Sequence, residues 1–197
     1  YGEYKAILGK IGPLFYHCMF SITGAISNLI SCRDYILRGK KGKIISPSQL
    51  DSRWLRKPKS IKVNNFKLLY VGRFKVEKGI YSLLNLIKNK KDISLTVVGA
   101  EKKFSLNFKQ GNVKILQVLN NKLKLIKYYD DNNIFVLPSY TEGYPMVVLE
   151  ALARRRPVIV FEDIKHIIEY KKGIFVAKRN YLSFLATLNL SLIHISE

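Results

Sequence analysis

Residues 137–161 read LPSYTEGYPMVVLEALARRRPVIVF, and their pattern decides the fold. An apolar run over 134–138 leads into Ser139 and fits a buried strand. A loop follows with Glu142 and Gly143, and Pro145 then opens an apolar-periodic stretch over 145–154. Proline suits a first helical turn because its missing N–H is one that the helix leaves unbonded anyway. Glu150 falls at about the second turn of that helix. A second apolar run at 158–161 ends the unit, so the order is strand, loop, helix, strand. The loop and helix start offer free backbone N–H groups and the positive end of the helix dipole. That setting suits an anion or a hydroxyl-rich ligand.

The same alternation extends in both directions. Strands are expected at 67–71, 94–98, 113–119 and 174–177, and helices at 78–89, 122–129 and 164–170; a further helix starts at 181. Near-continuous apolar strands alternating with helices imply a parallel sheet covered on both faces. The fold class is therefore α/β, a Rossmann-like doubly wound parallel sheet. Ligands of such sheets bind beyond the carboxyl ends of the strands, where Gly72, Gly99 and the 139–145 loop all lie.

Residues 1–45 do not read as a whole domain. A long apolar helix over 11–25, a short strand over 27–32 and the basic stretch 33–43 cannot cover both faces of a sheet. They are read as a remnant of a second domain. Residues 46–65 are polar, with Trp54 the one large apolar side chain, and read as an interdomain linker. Residues 66–187 form the main domain. The ending LSLIHISE has no cap and resembles adapter read-through, so 188–197 is set apart as an unreliable tail.

The charge is strongly positive, 34 Lys and Arg against 14 Asp and Glu, formally +20. Such a surface attracts nucleic acid or an anionic membrane, or is only a lysine-rich solvated face. No RNA-binding signature or zinc-finger spacing accompanies it. Two cysteines, Cys18 and Cys32, do not make a disulfide framework, and His17, His166 and His194 lack metal-ligand spacing. The most apolar stretch, 14–30, contains His17, Gly24 and Asn28 and is just short of a span; it reads as a buried or interfacial helix.

The segment YVGRFKVEKG, 70–79, carries a second set of candidates. Gly72 ends a strand where the backbone turns sharply or approaches a ligand. Arg73 projects from the carboxyl edge, and Lys78 opens the next helix on the same side. Together they can neutralise a diphosphate, or they are two solvated cations. Neither a G-x-G-x-x-G turn nor a Walker pattern is present, which disfavours NAD and P-loop ATP chemistry. Glu142 could serve only as a helix-capping charge. Glu150, flanked by Val148, Leu149, Ala151 and Leu152, needs polar partners if buried, and a ribose diol would supply them.

Read as VGRF-x3-KG and then LPS-x2-EG-x-P-x3-LEALA-x3-PVI, residues 66–178 resemble the donor-binding half of a family 4 glycosyltransferase of the GT-B architecture. Residues 44–55 resemble its interdomain hinge, and 1–43 the end of its acceptor-binding domain. The resemblance implies transfer of a sugar from a nucleotide-sugar, with retention of configuration, to a glycan or lipid-linked acceptor such as a lipopolysaccharide or capsule precursor. It implies no metal and no cofactor beyond the donor. Arg73 and Lys78 would bind the donor diphosphate, Glu142 the sugar hydroxyls and Glu150 the ribose. Backbone around Gly72, Gly143, Tyr144, Pro145 and Met146, with the N–H groups of Val148 and Leu149, would meet sugar and phosphate.

A cytoplasmic location is expected, with an anionic inner-membrane surface as a further partner and no nucleic acid. The isolated chain is expected to bind donor without transferring sugar. The alternative is a non-catalytic basic α/β module that holds nucleotide or nucleic acid. Two positions depart from the family pattern. Arg154–Arg156 replaces a small residue and glycine and reads as a solvated run or, alternatively, as a contact for anionic lipid. After 158–161 a glycine pair is replaced by EDIKH, where Lys165 and His166 read as surface-helix residues or, alternatively, as substitutes for the donor-phosphate contacts of that loop.

Overall fold

The computed structural model describes residues 9–26, 29–31, 42–44, 48–60, 65–101, 111–166 and 172–193. The chain divides into two compact units, Tyr1–Ser48 and Gln49–Glu197.

In the first unit a 3-10 turn at Gly9–Ile11 precedes helix α1, Gly12–Ile26. Strands β1 (Leu29–Ser31) and β2 (Gly42–Ile44) pair in parallel. Leu14, Phe15, Met19 and Ile22 on α1 are exposed. No helix among the described residues is long and apolar enough to cross a membrane. Strand β2 begins inside the stretch that the sequence marks only as basic, and Cys32 lies outside the described residues.

The second unit holds a six-stranded parallel sheet. Its strands are β3 (Phe66–Val71), β4 (Ile93–Ala100), β5 (Val113–Gln117), β6 (Ile134–Leu137), β7 (Val158–Phe161) and β8 (Ile174–Ala177). Their spatial order is β5-β4-β3-β6-β7-β8. The winding reverses between β3 and β6, which pair at Leu68↔Ile134 and Leu69↔Phe135. In a doubly wound sheet this reversal opens a crevice at the carboxyl ends of the two central strands. The expected fold class is present.

Side chains alternate across the sheet. Leu68, Tyr70, Val136 and Ile159 pack with Ile80 and Leu83 of helix α2 (Ile80–Leu86) and with Phe184 and Leu188 of helix α5 (Tyr181–Ile193). Leu69, Phe135, Leu137 and Val160 pack on the other face with Ile126 and Tyr129 of α3 (Lys122–Asp131) and with Val148 and Ala151 of α4 (Met146–Ala153). Burying a period-2 pattern against two helical layers excludes water from both faces, and each fully buried aliphatic side chain contributes about 1.5–3 kcal/mol.

Trp54, in the segment read as linker, is only 2% exposed and meets the Tyr129 ring edge-on at 5.4 Å. The segment around it is thus packed onto the α3–α4 face. Helix α5 continues to Ile193 with Leu188 and Ser191 buried, and 194–197 lie outside the described residues.

Two local expectations are corrected. Of the helix expected over 164–170, Ile164 instead ends a 3-10 turn at Glu162–Ile164 and Lys165 and His166 follow as exposed turn residues, while 167–171 lie outside the described residues. The Arg154–Arg156 run is not solvated, since Arg154 and Arg156 are each 2% exposed. Arg154 grips both carboxylate oxygens of Asp130 (2.9 and 2.8 Å) and donates to the carbonyls of Trp54 and Arg56. Arg156 donates to the carbonyls of Tyr129, Asp130 and Lys59. The reason is backbone accounting. The end of α3 and the 54–59 segment present buried carbonyls that need donors, and two guanidinium groups supply them. Only Arg155, in left-handed backbone at φ +52°, faces solvent.

Candidate functional site

The crevice between β3 and β6 is built by a close approach of two backbones. After β3 the chain makes a 3-10 turn at Val76–Lys78 and reaches Gly79 at φ +66°. A Cβ there would lie 1.8 Å from the Pro138 carbonyl oxygen, so only glycine fits. The Tyr140 N–H donates to the Glu77 carbonyl at 3.0 Å and ties the second loop to the first. Lys78 therefore ends a 3-10 turn and does not open α2 as its spacing implied.

This approach brings Lys78 and Glu142, 64 residues apart, into one contact. Lys78 Nζ donates to Glu142 Oε1 at 2.8 Å, and the Ser139 hydroxyl donates to the same oxygen at 2.6 Å. Both charged side chains are largely buried. Glu142 Oε2 makes no hydrogen bond with the described residues, and the ammonium keeps two further N–H groups. The site thus holds a fixed carboxylate beside a fixed cation, each with capacity left for a ligand. Glu142 does not cap α4, whose N-cap is Pro145 with no side-chain cap bond. Burial, and secondly the Glu142 charge, push the Tyr70 phenol well above its ordinary value. The Tyr70 hydroxyl donates to the Arg73 carbonyl at 2.8 Å and braces the turn.

Arg73 itself is exposed, and its side chain makes no ion pair among the described residues. Gly72 donates to the Val98 carbonyl at 2.9 Å, and its own carbonyl lies 2.6 Å from where a Gly99 Cβ would stand. Beyond Glu142, Gly143 is exposed with open space at its Cβ position, and Tyr144 is half-buried. The Val148 N–H already donates to the Pro145 carbonyl at 3.1 Å. Leu149 is the fourth residue of the helix, where α-helical bonding begins. The open donors of this helix end are therefore those of Met146 and Val147, and not those expected at Val148 and Leu149.

Glu150 is 8% exposed on the inner side of α4. Tyr129 donates its hydroxyl to Glu150 Oε2 at 2.8 Å, and Oε1 makes no hydrogen bond with the described residues. Burial pushes the Glu150 carboxyl above the ordinary glutamate value, while the Tyr129 bond and the more distant Lys122 charge act against it. The polar partner that Glu150 needs is thus supplied in part by α3, with one oxygen left over.

Two participants besides the expected residues are Ser139 and Tyr129. Ser139 had a local signal in its spacing of three from Glu142. Tyr129 acts on a residue 21 positions away and had none. Among the described residues no group of three His, Cys, Asp or Glu side chains is placed to hold a metal.

The sequence pattern of the family described as glycosyl transferases group 1 matches residues 51–192. The chain belongs to this family. TuaC of Bacillus subtilis (strain 168), a glycosyltransferase whose name assigns it provisionally to teichuronic acid biosynthesis, is 39% identical over 106 residues, 53% of this chain and 27% of TuaC. The capsular polysaccharide biosynthesis glycosyltransferase CapM of Staphylococcus aureus is 28% identical over 133 residues, 60% of this chain and 34% of CapM. The solved sucrose-phosphate synthase of Thermosynechococcus elongatus superposes at TM-score 0.65 with 18% identity, covering 91% of this chain and 53% of that one. The chain thus matches about a third or less of the length of these curated relatives. The group 1 glycosyl transferase match spans both loops of the crevice and all six strands of the sheet, so the Lys78–Glu142 contact and Glu150 lie inside the family region.

Proposed function

We propose that this chain is the donor-binding part of a retaining, metal-independent glycosyltransferase that moves a sugar from a nucleotide-sugar to a glycan or lipid-linked acceptor in cell-surface polysaccharide synthesis. The Lys78–Glu142 contact at the point where the sheet reverses carries this reading. A nucleotide-sugar needs a cation for its diphosphate and an acceptor for its sugar hydroxyls, side by side. Here both are held in place before a ligand arrives, so little ordering cost remains on binding. Lys78, with Arg73 from the same connection, would stabilise the charge that develops on the leaving diphosphate. Glu142 Oε2 would accept from a sugar hydroxyl, and Glu150 Oε1 from a ribose hydroxyl. The helix end at Met146 and Val147 adds N–H donors for anionic oxygens. The names of TuaC and CapM favour a surface polysaccharide as the product. The +20 charge suits an anionic membrane surface where a lipid-linked acceptor would reside.

Calorimetric titration with UDP and GDP tests the reading. Binding by the chain that weakens about tenfold or more in Glu150→Ala supports it. Tight RNA binding with no response to either nucleoside diphosphate would replace it with a basic nucleic-acid module.

A further inference from the structure

Arg179 lies two residues past β8, outside every motif of the sequence. Its backbone is set by the start of α5: Asn180 accepts from the Ser183 N–H at 2.9 Å, and the Ser183 hydroxyl accepts from the Lys178 N–H at 3.0 Å. This reciprocal cap fixes the chain on both sides of Arg179. The side chain then crosses the carboxyl edge of the sheet from β8, past β7, to β6. Nη2 donates to two successive carbonyls of the site loop, Pro138 at 2.7 Å and Ser139 at 3.0 Å. Nε donates to Asp163 Oδ2 at 2.7 Å, on the turn after β7. The guanidinium carbon stands 3.8 Å from the centre of the Tyr140 ring and 4.6 Å from that of Phe161. Nη1 is sealed from solvent, has no acceptor among the described residues, and lies 3.3 Å from where a Gly79 Cβ would be.

A partly exposed Arg–Asp pair by itself contributes little. The other contacts of Arg179 are of a different kind, because they fall on Pro138, Ser139 and Tyr140, the residues that lead to Glu142. Ser139 bonds Glu142 directly, and Tyr140 is tied to Glu77 next to Lys78. The loop that presents Glu142 is therefore held from two sides, by the Glu77 carbonyl and by Arg179. A planar fork can satisfy two carbonyls and a carboxylate while lying against aromatic rings; a lysine ammonium cannot do all three. The turn after β7 supplies Asp163 to orient this arginine.

We infer that Arg179 is a positioning residue of the donor site: it sets the path of residues 138–140, and through them the Glu142 carboxylate, without touching the donor. The word donor rests on the function proposed above; the loop-holding role does not. In the donor reading, Arg179 governs the sugar-dependent part of binding and leaves the nucleotide part to Glu150 and Lys78.

The test uses the 197-residue chain with Arg179→Met, Arg179→Lys and Asp163→Asn. Amide hydrogen exchange by NMR reads the Tyr140 N–H, with the Phe135 N–H, bonded to the Pro157 carbonyl at 2.9 Å, as the core reference. Tyr140 is expected to exchange at least about tenfold faster in Arg179→Met, less so in Arg179→Lys and Asp163→Asn, with Phe135 unchanged in all three. If Arg179→Met unfolds, Asp163→Asn decides by the same readout. Unchanged Tyr140 protection in a folded variant, or equal acceleration of Tyr140 and Phe135, overturns the inference. In parallel, UDP-glucose, UDP-galactose and GDP-mannose are each titrated against the bare nucleoside diphosphate. Arg179→Met is expected to erase any preference for the nucleotide-sugar while nucleoside diphosphate affinity stays within about twofold. Loss of both affinities together overturns the positioning role. A wild-type chain that binds none of these probes overturns the donor reading alone, and the exchange result still decides the loop.

Discussion

Tyr129 donates its hydroxyl to Glu150 at 2.8 Å inside the α3–α4 face, and this bond joins a core aromatic to a carboxylate proposed for ligand binding. Tyr129 also meets the Trp54 ring edge-on and stacks on Phe135, so it cannot move without disturbing the core. The rotamer of Glu150 is thereby fixed by packing and not by solvent.

The pH dependence of stability follows from that burial. Burial raises the Glu150 carboxyl above the ordinary glutamate value, about 4.3. The folded chain then holds this proton more tightly than the unfolded chain. The contribution is fully present below about pH 4.3 and is lost as pH rises from there through the higher folded value. Glu150→Gln keeps an acceptor for Tyr129 and removes the charge. It is expected to raise Tm at pH 7 by about 2–4 °C, corresponding to about 1 kcal/mol, with the gain shrinking toward pH 4. Calorimetry at the two pH values checks this, and an equal gain at both would contradict it.

The Lys78–Glu142 contact predicts a division of labour. Lys78→Met is expected to weaken UDP or GDP binding at least about tenfold, near 1.4 kcal/mol. Glu142→Gln keeps the Ser139 bond and is expected to leave nucleoside diphosphate affinity within about twofold while removing the added affinity of the sugar. Calorimetric titration of both variants separates the two effects.

Gly79 and Gly143 predict opposite responses to one methyl group. Gly79→Ala forces a left-handed alanine, which costs roughly 1–2 kcal/mol, and drives its Cβ into the Pro138 carbonyl. Its total destabilisation is expected above about 2 kcal/mol, with loss of ligand binding. Gly143→Ala meets nothing within 4 Å and is expected to change stability by less than about 0.5 kcal/mol. Urea unfolding of the two variants measures the contrast.

The arginine run predicts two unlike outcomes from three neighbouring positions. Arg154→Met leaves Asp130 without its two-point partner, and Arg156→Met orphans carbonyls on α3 and on the 54–59 segment. Each is expected to cost about 3 kcal/mol or more, as removal of one side of a buried ionic network does. Arg155→Gly relieves the positive φ at an exposed site and is expected to stay within about 1 kcal/mol of wild type.

Transfer needs more than donor binding. This chain aligns with only 27–34% of the length of TuaC and CapM, so the acceptor side of the reaction is expected to need sequence beyond it. The 197-residue chain is expected to bind nucleotide-sugar and to show no transfer to polysaccharide or lipid-linked acceptors when donor consumption is followed by chromatography. Measurable turnover would show that the acceptor side is already present.

Much of the fold was legible because strand and helix periods are local. Apolar runs at 134–138 and 158–161, with a 3.6-residue pattern between them, required a parallel unit whatever lay elsewhere. The glutamate pair was legible for the same reason, since one loop and one helix carry both members. The 3-10 turns at Val76–Lys78 and Glu162–Ile164 were not, because a few residues near a helix start satisfy either geometry until a neighbour chooses. At Gly79 that neighbour is the Pro138 backbone.

The sequence by itself determined the alternation of strands and helices, the edge of the sheet where a ligand is proposed, and the spacing of Glu142 and Glu150. Tertiary structure alone decided which charges meet. Lys78 finds Glu142, Tyr129 finds Glu150, and Arg179 reaches Pro138 and Ser139 because the sheet order places the ends of β3, β6, β7 and β8 side by side. It also decided that Arg154 and Arg156 are internal. A charge run reads as solvated until buried carbonyls from distant segments are brought against it, and that supply of acceptors exists only in the folded chain.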